Sequence, residues 1–322
     1  MPSPAVLVTR RLPAGALKRL SEQFSVTVWP EERPMPYDAM IEAVAGKAAL
    51  LTMLTDKVDA TLLEAAGTGL RVVANYAVGF DNVDVASCSA RGVMVTNTPD
   101  VLTESTADMA FALLLGAARR LAEGDRFLRE GASVAWAPDM MLGVDVHGKT
   151  LGVVGFGRIG RAVARRAAGF AMRVVVHTRG HLPADAAAEK LPLDELFARS
   201  DFVTLHVRLD DGTRHLVDGP RLARMKPTAV LVNTSRGPVV DEAALADALA
   251  RRVIFAAGLD VYEREPQVHP LLLESPFAVL APHLGSATVE TRADMADLAA
   301  ENVIAALEGL VPPCLVNREL LG

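Results

Sequence analysis

The feature that most constrains this chain is a hexapeptide, Gly155-Phe-Gly-Arg-Ile-Gly160, and what stands on either side of it. Before it runs TLGVVGF (150–156), continuously apolar and without polar alternation; after it RIGRAVARRAAGF opens an alanine-rich helical pattern. An unalternated apolar run fits a strand covered on both faces. A strand that turns through glycines straight into a helix is a βα unit of a doubly wound α/β sheet, and this turn is built for a dinucleotide. Gly155 permits the tight turn, Gly157 lets the backbone approach a pyrophosphate, and Gly160 lets helix and strand pack closely. Arg158 and Ile159 lie in the helix's first turn, whose N–H groups face the phosphates. By itself G-x-G-x-x-G is a weak signal; a glycine turn without a ligand, or a site for another nucleotide, remains the other reading.

The same alternation continues along the chain. Strand candidates are 5–9, 49–54, 71–77, 93–97, 150–156, 173–178, 201–207, 229–235, 256–262 and 278–283, with helical patterns such as 103–121 and 158–169 between them. This implies doubly wound parallel sheets. The 322 residues are enough for two domains of ~150 residues. Long helical patterns at about 101–121 and 289–309 flank a central block. They divide the chain into a discontinuous domain, 1–98 plus 289–322, and a dinucleotide-binding domain, 99–288.

Composition excludes several functions. The formal charge of −6 is mild and the signs are interspersed, so nucleic acid is not an expected partner. No apolar run approaches the ~20 residues of a membrane span, and the N-terminus reads as strand and turn, not as a signal peptide. Cys88 and Cys314 show neither a disulfide framework nor metal spacing, so no metal is expected and the thiols fit a reducing, cytoplasmic location.

The second strand of the cofactor region, RVVVHTRG (173–180), departs from the usual pattern. An acid at this strand end would accept from both ribose hydroxyls of NAD. From Arg161 through Ala184 there is none; the first is Asp185. Thr178 and Arg179 stand there instead, with His177 beside them, and a guanidinium pairs readily with a 2′-phosphate. NADP(H) is therefore the expected cofactor, with NAD(H) possible if Arg179 is only a solvated loop residue.

Three polar residues stand at or beyond later strands: Arg236 in VNTSRG, Glu265 in DVYEREP and His283 in LAPHLGSAT. Ligands of open α/β sheets bind outside the carboxyl ends of strands. Reduction of a 2-keto acid needs a cation for the carboxylate and carbonyl, which Arg236 supplies, and a proton donor, for which histidine is suited. Glu265 would hydrogen-bond His283, orient it and favour its imidazolium. Taken singly, each has a plainer reading: a surface ion pair, a solvated turn glutamate, a structural histidine. Their common placement behind the glycine motif favours chemistry.

NYAVGFDNVDV, NTPDVLTESTADMAFALLL, the stretch from Trp136 through GFGRIG, LVNTSRGPVVDEAAL, GLDVYEREP and APHLGSAT resemble the D-2-hydroxyacid dehydrogenase family, most closely its glyoxylate/hydroxypyruvate reductase branch, over nearly the whole chain. The resemblance implies two Rossmann/flavodoxin-like domains with the active-site cleft between them, the discontinuous one binding substrate. It implies Arg236 as substrate-binding residue, Glu265 as dyad partner and His283 as general acid/base. It further implies substrate contacts at Leu54, Val78 and Gly79, and from Trp136 into the partner subunit's pocket of a homodimer whose interface lies near 101–145. Cofactor contacts are implied at Thr106, His206, Thr213, Thr234, Asp260 and Gly285. The expected reaction is NADPH-dependent reduction of glyoxylate and hydroxypyruvate to glycolate and D-glycerate. The alternatives are an NAD-dependent enzyme for pyruvate or a larger 2-keto acid, and a non-enzymatic dinucleotide sensor. One departure stands out: Arg208 replaces the proline usual after the LHxP stretch, as a second phosphate ligand or simply an exposed side chain.

Overall fold

Apolar runs that do not alternate are stable as strands only where helices shield both faces, and this chain places a helix between most of them. The computed structural model describes residues 3–321 apart from 134 and 185, so Asp185 lies outside the described residues. The chain divides into two units: Met1–Leu102 with Ala287–Gly322, and Thr103–Ser286. The helical patterns in the sequence place these divisions at 98/99 and 288/289.

The first unit runs β1 (Ala5–Val8), α1 (Ala14–Ser21), β2 (Ser25–Val28), α2 (Tyr37–Val44), β3 (Ala49–Thr52), α3 (Ala60–Ala66), β4 (Val72–Asn75), α4 (Val85–Ala90) and β5 (Met94–Thr96). Among the described residues its strands form one five-stranded parallel sheet in the order β2-β1-β3-β4-β5. Leu7, Leu50, Val73 and Val95 face one side and pack on Met40 of α2, Leu62 and Leu63 of α3 and Cys88 of α4. The helix Val289–Glu308 lies over β3, β4 and β5. β2 was not legible as a strand: Ser-Val-Thr-Val alternates polar with apolar and is half exposed, as an edge strand can be.

The second unit runs α5 (Thr103–Ala118), α6 (Leu121–Arg129), β6 (Thr150–Val154), α7 (Arg158–Ala167), β7 (Arg173–His177), β8 (Glu189–Lys190), α8 (Leu193–Arg199) and β9 (Phe202–Leu205). It continues through α9 (Gly219–Leu222), β10 (Val230–Asn233), α10 (Glu242–Ala250), β11 (Ala256–Leu259), α11 (Pro270–Glu274) and β12 (Ala278–Leu280). Among the described residues the strands form a seven-stranded parallel sheet ordered β12-β11-β10-β9-β6-β7-β8. The strand order reverses between β6 and β9, and that is where an open α/β sheet binds its ligand.

Alternate residues of each strand serve opposite cores. Val153, Val176, Val230 and Val232 pack with Ala107, Leu114, Ala162 and Val163 of α5 and α7. Val154, Val175, Leu205, Leu231 and Leu259 pack with Leu196, Phe197, Leu245, Leu249 and Leu272 of α8, α10 and α11. Each valine, leucine and phenylalanine among them contributes ~1.5–3 kcal/mol of burial.

One expectation is corrected. The helical pattern at 101–121 is not one helix, because α5 stops at Ala118 and Arg120 adopts a left-handed φ of 54° before α6. The Ala118 carbonyl accepts from Val144 N at 2.9 Å instead of from a further helical turn. Gly143 packs against that carbonyl so closely that any Cβ would overlap it. Arg120 then grips Glu123 with two bonds of 2.7 Å.

Candidate active site

The sequence-read strands run past the observed ones, and the surplus residues are the ones that carry chemistry. β6 ends at Val154, β7 at His177, β9 at Leu205, β10 at Asn233, β11 at Leu259 and β12 at Leu280. Beyond those ends the chain turns through Gly155–Gly160, Thr178–Gly180, His206–Thr213, Thr234–Gly237, Asp260–Glu265 and Ala281–Gly285, all on the carboxyl edge of one sheet.

Two of the three motif glycines are required by the chain itself. Gly155 has φ of 92°, and a Cβ there would run into the His206 carbonyl. A Cβ on Gly160 would overlap the Gly155 carbonyl. Gly157 is different: its φ is an ordinary −76° and a Cβ would meet nothing within 4 Å. Nothing among the described residues needs glycine there, and the missing side chain leaves the backbone open to a ligand. No side chain caps α7 at Gly157, and the first N–H bonded within the helix is that of Arg161. The N-terminus thus fits a pyrophosphate. Ile159 lies half-buried and Arg158 exposed in that first turn.

The other expected cofactor contacts divide by their surroundings. Thr234 Oγ1 is buried without a hydrogen-bond partner among the described residues, as a group awaiting a ligand is. Thr106, 5% exposed, lies beside Gly285. Asp260 is 1% exposed and accepts from Leu284 N at 2.6 Å and Gly285 N at 2.7 Å. Burial pushes its carboxyl up, opposed by these two N–H groups. Burial holds the His206 imidazole down at about 3, hence neutral, and its Nε2 meets Thr204 Oγ1 at 2.9 Å. Thr213 is engaged within its loop: its hydroxyl accepts from Asp210 N at 2.8 Å and donates to Arg208 O at 2.7 Å. The Arg208 side chain is exposed. Thr178 Oγ1 accepts from Gly180 N, and Arg179 is ion-paired with Asp210 at 2.9 Å.

The three chemical residues come together. His283 Nδ1 and Glu265 Oε2 are 2.9 Å apart, with the side chains 26% and 28% exposed. Glu265 Oε1 accepts from Tyr262 N at 3.1 Å. Burial pushes the Glu265 carboxyl up, but the His283 hydrogen bond and charge, the Tyr262 N–H and the Arg236 charge outweigh it and hold the group below its ordinary value. His283 has a left-handed φ of 57°, uncommon for a residue with a side chain. Its N–H donates to Asp260 O at 2.9 Å, so the same aspartate fixes the turn on both sides.

Three supporting residues escaped the sequence reading. Asn233, 1% exposed, donates to Arg236 O at 2.9 Å and accepts from Ser235 N and Oγ, which sets the turn that presents Arg236. The signal is local: an Asn at a strand end readily accepts from the N–H two residues on, as an Asx turn. Gly237 packs on the Tyr262–Glu263 backbone with no room for a Cβ. Glu242, 6% exposed, accepts from Glu263 N at 2.6 Å and clasps the loop that carries Glu265.

The expected substrate contacts Leu54, Val78 and Gly79 belong to the other unit, just beyond β3 and β4. There Asn97 donates to Val78 O and Asn75 to Gly79 O, each at 2.8 Å. Both carbonyls are thereby turned away, and the two N–H groups have no acceptor among the described residues. Trp136 is 85% exposed. Among the described residues no group of side chains is arranged to hold a metal, and no helix is long and apolar enough to cross a membrane.

Comparison with known proteins agrees with this geometry. Residues 111–285 match the family described as D-isomer specific 2-hydroxyacid dehydrogenase, NAD binding domain. The chain is 51% identical to a glyoxylate reductase of Thermococcus onnurineus, over 99% of this chain and 97% of that one. It is 46% identical to the TT0316 protein of Thermus thermophilus, whose crystal structure superposes with a TM-score of 0.91 over 97% of this chain and 99% of that one. An NADPH-dependent glyoxylate/hydroxypyruvate reductase of Sinorhizobium meliloti, solved with NADP and malonate, is 35% identical with a TM-score of 0.85, over 98% and 97% of the two chains.

Proposed function

The chain belongs to the D-isomer specific 2-hydroxyacid dehydrogenase family, and from that premise we propose that it reduces glyoxylate and hydroxypyruvate to their D-2-hydroxy acids, with NADPH preferred to NADH. The observation that carries the reading is the Glu265–His283 pair at 2.9 Å, on the same sheet edge as Arg236 and the glycine turn. The names of the relatives support the substrate class.

The family's nicotinamide cofactor, when bound, supplies the hydride to the keto carbon. The Gly155–Gly160 turn and the α7 N-terminus would hold its pyrophosphate, and Thr106, Thr234, Asp260 and Gly285 would line its nicotinamide half. Arg236 pairs with the substrate carboxylate and carbonyl oxygen through its planar fork. In the other unit, the Val78 and Gly79 N–H groups near Leu54 are paired donors of the kind a carboxylate takes. With Nδ1 bonded to Glu265, His283 presents Nε2 to the carbonyl oxygen and donates the proton that completes the alcohol. Glu265 stabilises the imidazolium from which that proton comes. The preference for NADPH rests on Arg179, next to where a ribose acid would stand.

The test is a panel of glyoxylate, hydroxypyruvate and pyruvate run with NADPH and with NADH. Turnover of the first two, faster with NADPH, is expected. Failure to reduce any of the three with either cofactor would sink the reductase reading, and faster turnover with NADH would remove Arg179 from it.

The reading includes a cytoplasmic homodimer. Leu121, Leu128, Trp136 and Leu142 are each at least 61% exposed, within a single stretch of the chain. Leu121 and Leu128 share one face of α6. Such an apolar surface is ordinarily covered. Light scattering at micromolar concentration should give twice the 34.2 kDa of the chain; a monomer mass would refute the dimer. No disulfide joins Cys88 and Cys314, and burial pushes the Cys88 thiol up to about 12, so it is inert.

A further inference from the structure

We propose that Asp210 selects between the two nicotinamide cofactors, as the counter-ion of Arg179 and as a replacement for the acid missing after β7. The inference rests on the reading that Arg179 faces the 2′-position of the adenosine ribose.

The sheet order carries the argument. β6 lies between β7 and β9, so the loops that follow β7 and β9 flank the glycine turn that follows β6. Arg179 stands on one of these loops and Asp210 on the other, and they meet at 2.9 Å between Nη2 and Oδ2. The pair spans the place where the strand order reverses, over the turn that takes the dinucleotide. An acid at the end of β7 would occupy this region from its own strand. Here the carboxylate arrives from two strands away, thirty-one positions later in the chain.

Both loops are braced, while the two side chains stay exposed to solvent. Asp210 N and O are tied by Thr213, through Oγ1 at 2.8 Å and N at 3.0 Å, and Arg214 N adds a further bond at 3.0 Å. On the other side Lys190 Nζ donates to Gly180 O at 2.8 Å. The side chains themselves are 74% and 41% exposed. Their mutual hydrogen bond is the main reason the Asp210 carboxyl sits below its ordinary value, with Thr213 next. An exposed ion pair of this kind is weak, so exchange of partners changes binding by only ~2- to 5-fold.

Each cofactor exchanges with the pair in its own way. A 2′-phosphate takes Arg179 from Asp210 and then faces an uncompensated carboxylate. A 2′-hydroxyl has no claim on Arg179, and donates its hydrogen bond to Asp210. Asp210 thus limits the preference that Arg179 creates and keeps NAD(H) usable. Arg208 is exposed on the same loop.

Calorimetric Kd values for NADP+ and NAD+, measured on the full chain, on Asp210→Asn and on Arg179→Ala, test this directly. Asp210→Asn is expected to tighten NADP+ and weaken NAD+, each by ~3-fold, so that the ratio Kd(NAD+)/Kd(NADP+) rises by ~10-fold. Arg179→Ala is expected to weaken NADP+ and bring the ratio down. If Asp210→Asn leaves the ratio unchanged while Arg179→Ala lowers it, the selector role falls and the reading of Arg179 stands. If neither variant moves the ratio, both fall together. A ratio that moves in Asp210→Asn but not in Arg179→Ala overturns the exchange, since the carboxylate then acts without the arginine.

Discussion

His283→Ala should lower kcat for 2-keto acid reduction by about 10²- to 10⁴-fold, the usual worth of a positioned proton donor, while NADP+ binding stays nearly intact. The expectation follows from geometry: Nδ1 is committed to Glu265, which leaves Nε2 for the substrate. Stopped-flow turnover together with calorimetric cofactor binding checks both halves; a loss of less than ~10-fold would remove His283 as the acid. The pH dependence has a definite sign. Glu265 has its carboxyl held below the ordinary 4.5 of a glutamate, so its negative charge is present above that value and is lost only as the pH falls further. Loss of activity across neutral pH therefore does not arise from Glu265. Activity should be lost on the acid side, as Glu265 is protonated below its ordinary range and His283 loses its orienting carboxylate. A Glu265→Gln variant that keeps the same acid limb would contradict the assignment.

The second large effect is expected at a residue without a side chain. Gly237→Ala puts a methyl group into the Tyr262–Glu263 backbone, where the chain leaves no space. One side of that contact is the turn that presents Arg236, and the other is the loop that presents Glu265. Neither can retreat freely: Asn233 ties the first and Glu242 the second. The strain should cost ~1–3 kcal/mol of stability. Displacement of the loops that carry Arg236 and Glu265 should lower kcat/KM by ~10²-fold or more, since misplacement of about 1 Å has that effect. Circular-dichroism melting and steady-state kinetics on the purified variant measure the two separately. A variant that melts lower with kinetics intact would show Gly237 to be needed for packing alone.

Much of the site was legible because its signals are local. A two-residue period marks a half-buried strand, an unbroken apolar run marks a covered one, and a glycine turn into a helix marks the dinucleotide site. Arg236, Glu265 and His283 could be singled out because each follows a strand, and strand ends are where an open sheet keeps its chemistry. The reading failed where period and composition carry no information. β2 is too polar to stand out, β8 is only two residues long, and the break after Ala118 depends on Gly143 and Val144, distant in sequence.

By itself, then, the sequence determined the α/β class, the dinucleotide turn and the candidates for acid, orienting carboxylate and cation, since all of these depend on residue types at short spacing. Tertiary structure alone decided that His283 takes a left-handed backbone on a turn held by Asp260 and that Gly237 wedges the Arg236 and Glu265 loops together. It also decided that Arg179 meets a carboxylate after all. The acid that β7 lacks comes from beyond β9, because the sheet folds β6 between them, and no local pattern in a chain records which strands become neighbours.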